Sequence, residues 1–480
     1  MRRWPAMLAF LVLLSCHTGV ETPDPATITD LIARGNFEEA EKKILLYTST
    51  SSMTAEERLH WSWETERIHR ISLDFNKTEE EALEYIRQYF PKVTPQQMSD
   101  WETSRALECM VINGEKRYFS RAFRNLFRID SLCLARYEEI NGPAIDAKAP
   151  LLEEHLPRIV ELTGKTGAVI VEPRTFTITY TLTVPANTVP EGEILCVWMP
   201  LPRTDVPRQN GFRLLSVSEP DYIISPDSYI HKSIYMEKPA VKDQDAVFIY
   251  SFTYTARAQY HHIDAIKDVL PYDTLSPEWK EYTKQELPHI ITTGPVAELA
   301  EKVVGDETNP FLRLQKIFTY ISQTYPWAGA REYSTIESIP LYVLENGHGD
   351  CGQVSLLFIS MCRSLGIPAR WESGWMLHPG EINLHDWAEA YLEGIGWIPV
   401  DQSFGLQQGP FPLFYSSGMD SYRMAVNRGT GGDFFPAKIY PRSETVDFQR
   451  GEVEWRGGNL YFNQWDYQLI LHPFDQQGIQ

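Results

Sequence analysis

ENGHGDCGQVSLLFISMCRSLGIPARW, residues 345–371, carries two cysteines on one predicted helix, and they occupy different chemical positions. Gly347-His348-Gly349 favours a loop. Asp350 is placed to cap a helix, with Cys351 at its first position and Gln353 at its third, the spacing of a capping box. Val354, Leu357, Phe358, Met361 and Leu365 then follow a helical period as one apolar stripe. Gly366 suits the residue past the end, and Pro368 prevents continuation. At the first turn, unpaired amides and the positive end of the helix dipole favour a thiolate, and the same amides can hold an oxyanion. Gly352 leaves no side chain above the sulfur. Cys362 sits mid-helix among apolar residues, where a thiol is inert.

A thiolate needs a base and a group that orients the base. His385-Asp-Trp-Ala-Glu-Ala-Tyr-Leu392 has the pattern of a strand, Glu393-Gly-Ile-Gly396 of a turn, and Trp397-Ile-Pro-Val-Asp401 of the returning strand. Side chains alternate along strands, so His385 and Asp401 share a face only with an odd loop or a bulge. Pairing Leu392 with Gly396 meets that condition. Asp386 then points to the opposite face, leaving Asp401 as the orienting group. His348 is too close in the chain to act as a held base, and His378 is expected on a loop at the cleft rim. His261-His262 has no carboxylate or cysteine at ligand spacing, so no metal site is assigned, and no cofactor.

These blocks resemble the transglutaminase-like superfamily of the papain-like fold. The resemblance rests on Gly349-Asp350-Cys351-Gly352, Leu365-Gly366-Ile367-Pro368-Ala369-Arg370, His385-Asp386-Trp387-Ala388-Glu389 and Trp397-Ile398-Pro399-Val400-Asp401, in that order. It covers roughly Pro295 to Ser403 and implies a catalytic Cys351, His385 and Asp401. The superfamily's oxyanion partner, an aromatic or polar side chain upstream of the cysteine, falls on Trp327, with Gln353 as the polar alternative. The implied chemistry is acyl transfer through a thioester on a protein or peptide substrate. Peptidase or amidase action is the first expectation and protein-glutamine cross-linking the second. A glycan- or peptide-binding surface protein without activity is the non-enzymatic alternative.

The rest of the chain sets the frame. At 480 residues, a prior of ~150 residues per domain suggests about three domains. A net charge of −20 argues against nucleic acid or an anionic membrane surface as the main partner. Arg2 and Arg3, the short apolar run from Trp4 to Leu14, and Leu13-Leu14-Ser15-Cys16 resemble a lipoprotein signal peptide over 1–16. That implies a lipid anchor at Cys16, a cell-envelope location and a tether over 17–30. Capping boxes at Thr54, Thr78 and Thr94 head a helical region over 31–165. Alternation in Thr175–Val184 and again from Phe248 to Tyr254, with a third run from Ile194 to Met199, indicates a β-sandwich over 170–262. A catalytic domain is expected at 290–405, a helix packed on an antiparallel sheet, followed by a β-rich extension over 406–480. The fold class is therefore α+β, multidomain. No CxxC pair suggests thiolate zinc. Cys109 and Cys133 are placed in helical stretches, either bridged or buried as thiols.

Overall fold

The computed structural model describes residues 23–472. The expected signal peptide over 1–16 and the expected lipid anchor at Cys16 lie outside the described residues. The chain divides into two compact units, Met1–His69 with Met110–Lys116, and Arg70–Cys109 with Arg117–Gln480.

In the first unit, helices Pro25–Ala33 and Phe37–Thr50 are joined through Gly35. Residues 25–30, expected in a tether, belong to the first of these helices, because Pro25 opens it at a position where its missing N–H costs nothing. Gly35 has φ +74°, and a Cβ there would lie 1.9 Å from the Val111 carbonyl oxygen. Only glycine satisfies both conditions. The Asn113 amide donates to the Gly35 carbonyl at 2.8 Å, locking the turn.

The larger unit opens with short helices, two of them begun by the expected capping boxes at Thr78 and Thr94. Cys109 departs from expectation: it starts a strand, Cys109–Ile112, in a region taken as helical. Cys133 is a buried free thiol in the helix Ser131–Asn141.

Two five-stranded sheets follow. One runs Gly418–Met419, Ala246–Tyr260, Ile170–Val184, Asp466–Leu471, with Gln209–Val217 also paired to Ala246–Tyr260. The other runs Gly458–Leu460, Glu452–Trp455, Ile194–Pro200, Ser233–Pro239, Tyr222–Ile224. The alternating residues Phe176, Ile178, Tyr180, Leu182 and Val184 are at most 2% exposed. They share one apolar cluster with Val197, Met199, Met236 and Val453 of the second sheet. At roughly 1.5–3 kcal/mol per buried large side chain, this cluster is what the period-two pattern encodes. The segment after 406 supplies strands to both sheets, so it completes the sandwich from the far end of the chain.

A four-stranded antiparallel sheet, ordered Gly396–Val400, Glu381–Leu392, Ala369–His378, Arg423–Arg428, carries the site. Ala388, Ala390, Ile398 and Val400 pack in one cluster with Val296, Ile317 and Leu357 of the helices Pro295–Val304, Pro310–Thr324 and Cys351–Ser364.

Candidate active site

The helix Cys351–Ser364 begins with the predicted capping box. The Asp350 carboxylate accepts the Gln353 amide at 3.0 Å, and Gln353 Oε1 accepts the Asp350 amide at 3.1 Å. Cys351 thus takes the first helical position. The helix is buried on every side from Gly352 to Arg363, a wider contact than the single predicted stripe, because helices and the sheet enclose it together. Cys362 is fully buried, and burial pushes its thiol upward.

The register between the two strands pairs Leu392 with Gly396, and Gly396 has φ +103°. His385 and Asp401 consequently meet: His385 Nε2 lies 2.8 Å from Asp401 Oδ2. Burial works to raise the Asp401 carboxyl, but His385 and Arg423 outweigh it and hold it below the usual range. Arg423 Nη2 stands 3.0 Å from Asp401 Oδ2, and the Phe404 amide donates to Oδ1 at 3.0 Å. Burial lowers the His385 imidazole, partly offset by Asp401. With Nε2 committed to Asp401, Nδ1 is the nitrogen left for proton transfer.

Asp386 points away from His385 as expected, but makes a contact that the motif did not announce. Alternation does put it on the face opposite His385, the same face as Ala388 and Ala390, and that face packs on the helix bearing Cys351. Cys351 Sγ therefore contacts Asp386 Oδ2 at 3.3 Å. Among the described residues no hydrogen bond joins Cys351 to His385. Gln449 Nε2 donates to Asp386 Oδ1 at 2.6 Å, and the Tyr333 hydroxyl lies 3.3 Å from Oδ2 while donating to Asp350 Oδ1 at 2.8 Å. Burial, then the Asp386 and Asp350 carboxyls, push the Cys351 thiol well above its ordinary range. Burial and the two carboxyls thus act against the helix dipole, which favours the thiolate. Gly352 is held to glycine by its neighbours: a Cβ there would meet the Tyr333 hydroxyl at 2.1 Å and Asp386 Oδ2 at 2.7 Å.

His378 is not at the rim. It ends the strand Ala369–His378 fully buried, with Nε2 3.1 Å from Asp420 Oδ1. Arg423 reaches Asp420 at 3.2 Å as well as Asp401, linking the two His–Asp pairs. Arg423, Asp420, Tyr333 and Gln449 lie outside the four motif blocks, so no motif announced them. His348 is buried, which lowers it to about 4. His261 is likewise lowered to about 4 by burial, and no group of three or more metal-ligating residues occurs among the described residues.

Trp327 is about half exposed, with the Arg128 guanidinium 4.5 Å above its ring. Its segment is tied to the active-site loop, since the Ala328 amide donates to the Gly349 carbonyl at 3.1 Å. A cavity of about 790 Å³ is lined by Cys351, His385, Asp386, Trp327, Arg128 and Lys148, among others. The structure thus brings Cys351, His385 and Trp327 to one cavity, with Asp401 buried behind His385.

Residues 297–402 match the transglutaminase-like superfamily and form a transglutaminase-like domain. The match supports a cysteine-dependent hydrolase or transferase at the level of the superfamily. An uncharacterized protein from Haemophilus influenzae is 29% identical over 154 residues, spanning 27% of this chain and 41% of the relative. Among solved structures, the chain is similar to a candidate cysteine protease from Cytophaga hutchinsonii. The TM-score is 0.43 at 16% identity, covering 65% of this chain and 95% of that one. It is also similar to the periplasmic domain of TgpA from Pseudomonas aeruginosa, with a TM-score of 0.27 at 13% identity, covering 51% and 91%. Red sea bream transglutaminase follows with a TM-score of 0.21 at 11% identity, covering 48% of each chain.

Proposed function

We propose that this protein is a peptidase or amidase acting through a thioester on Cys351. The Cys351 proton passes to His385 Nδ1, and the thiolate attacks a peptide or carboxamide carbonyl. The backbone amide of Cys351, at the helix start, and the Trp327 indole N–H hold the oxyanion. His385 then gives its proton to the departing amine, leaving an acyl group on the sulfur. Asp401 fixes the imidazole tautomer and stabilises its charge throughout. Water attacks the thioester and releases the acid.

The observation that supports this reading most is the 2.8 Å pair of His385 and Asp401, buried at the edge of the cavity that Cys351 lines. Hydrolysis is favoured over cross-linking because Arg128, Lys148, Glu381 and Asn383 make the cavity walls polar and hospitable to water. We place the protein in the cell envelope, anchored by lipid on Cys16. Among the described residues no helix is long and apolar enough to cross a membrane.

The test is incubation with peptides, with and without a labelled primary amine, followed by mass spectrometry. New peptide termini or ammonia release without amine incorporation is the expected result. Amine incorporation as the main product would replace hydrolysis with transfer.

A further inference from the structure

The contact between Cys351 and Asp386 has no part in the reaction just described. Its geometry is built from several elements. Asp386 lies on the strand Glu381–Leu392 and is about 3% exposed. Gln449, from the C-terminal segment, donates to its Oδ1 at 2.6 Å and also to the His385 carbonyl at 2.9 Å, which fixes the carboxyl plane. Oδ2 is thereby aimed between Cys351 Sγ and the Tyr333 hydroxyl, each 3.3 Å away. Gly352 makes the approach possible, since any side chain there would strike both Tyr333 and Asp386.

A carboxylate oxygen and a thiolate cannot rest 3.3 Å apart as two anions inside a protein, so one proton occupies the contact. We propose that Asp386 is a fourth catalytic residue, which holds the Cys351 proton in the resting site until His385 takes it. The inference rests on Cys351 being the nucleophile. In the activating step the proton leaves Sγ for His385 Nδ1, the S–H bond breaks and an N–H bond forms. Sulfur becomes the thiolate and imidazole the imidazolium. That state is accessible when Asp386 is itself protonated or when substrate has displaced its Oδ2 from the sulfur.

The surroundings agree. Facing Asp386 are Asp350 and Cys351 from the helix start, Tyr333 from the turn Tyr333–Thr335, and Asp447 and Gln449 from the C-terminal segment, while the adjacent His385 on its own strand points to the other face. None of its hydrogen-bond partners is a cation among the described residues. Burial and the nearby Asp447 and Asp350 carboxyls hold Asp386 well above the usual carboxylate range. It is therefore able to keep a proton where an exposed aspartate has lost it.

The measurement is the rate of Cys351 alkylation by iodoacetamide, followed by peptide mapping from pH 5 to 10, which requires no substrate turnover. Cys351→Ala sets the background. Asp386→Asn retains an acceptor for Gln449 and removes the competing charge, so alkylation at pH 6–7 should rise about tenfold. That corresponds to a profile shifted down by about one unit. Gln449→Leu, which releases the carboxyl from its anchor, should shift the profile in the same direction and carries the test if Asp386→Asn lacks a cooperative unfolding transition. A profile unchanged or moved upward in the folded variants overturns the proposal. Faster alkylation without product from any peptide would instead leave the proton-holding role standing and defeat the peptidase reading.

Discussion

Gly352 and Asp401 are the residues whose roles are most sharply constrained. Gly352 has no space for even a methyl group, because the Tyr333 hydroxyl and Asp386 Oδ2 close over it. Gly352→Ala should therefore destabilise the domain by about 1–3 kcal/mol through overpacking and lower thiol alkylation control, measured by denaturant unfolding and by the alkylation profile. Asp401→Asn should leave the fold in place but reduce turnover by on the order of 10³-fold or more, since an amide neither fixes the productive tautomer nor stabilises the imidazolium. Circular dichroism and steady-state rates separate these two effects. At this scale the sequence was informative wherever a residue sat in a motif with a local rule, such as the cap at Asp350 or the pairing of Leu392 with Gly396. It was silent on Tyr333, Gln449 and Arg423, which reach the site from segments with no periodic or capping signal. Asp386 was legible as to face but not as to consequence, because the sequence does not say which face of the strand the cysteine helix covers.

The helix Cys351–Ser364 and the hairpin joining Glu381–Leu392 to Gly396–Val400 are the elements that place the chemistry. The cap at Asp350 satisfies an otherwise unpaired amide at the buried helix start, so Asp350→Ala should cost about 1 kcal/mol in thermal or denaturant unfolding. Asp350→Asn should cost less, since its side-chain oxygen still accepts the Gln353 amide. The hairpin holds His385 and Asp401 on one face only because its loop has an odd number of residues, with Gly394 and Gly396 both at positive φ. Strands and helices of this kind were readable from alternation, caps and turn glycines. The tight encirclement of the cysteine helix was not, since its outer positions carry Ser355, Ser360 and Arg363, polar residues that are buried because other elements meet them. Arg363, for one, reaches the Lys284 carbonyl and Glu286.

Across the whole molecule, the C-terminal segment ties the sandwich to the site, contributing Glu452–Trp455 and Asp466–Leu471 to the two large sheets and Asp447 and Gln449 to the surroundings of Asp386. Glu444 in the same segment is buried, and burial together with Glu332 raises its carboxyl to about 8. The folded protein binds that proton more tightly than the unfolded chain. This contribution to stability is full below about pH 4.5 and is lost as pH rises toward 8. Glu444→Gln should therefore be more stable than the parent at pH 8, by on the order of 1–3 kcal/mol, with the difference vanishing near pH 4.5. Such long-range completion of a sheet left only short β-like runs in the sequence, which mark strands but not their partners. Whether Cys351 carries the acyl group is read by comparing the parent protein with Cys351→Ala on a pool of proteome-derived peptides, followed by mass spectrometry. New termini or deamidated products from the parent and none from the variant are predicted; identical product traces from the two proteins would contradict it.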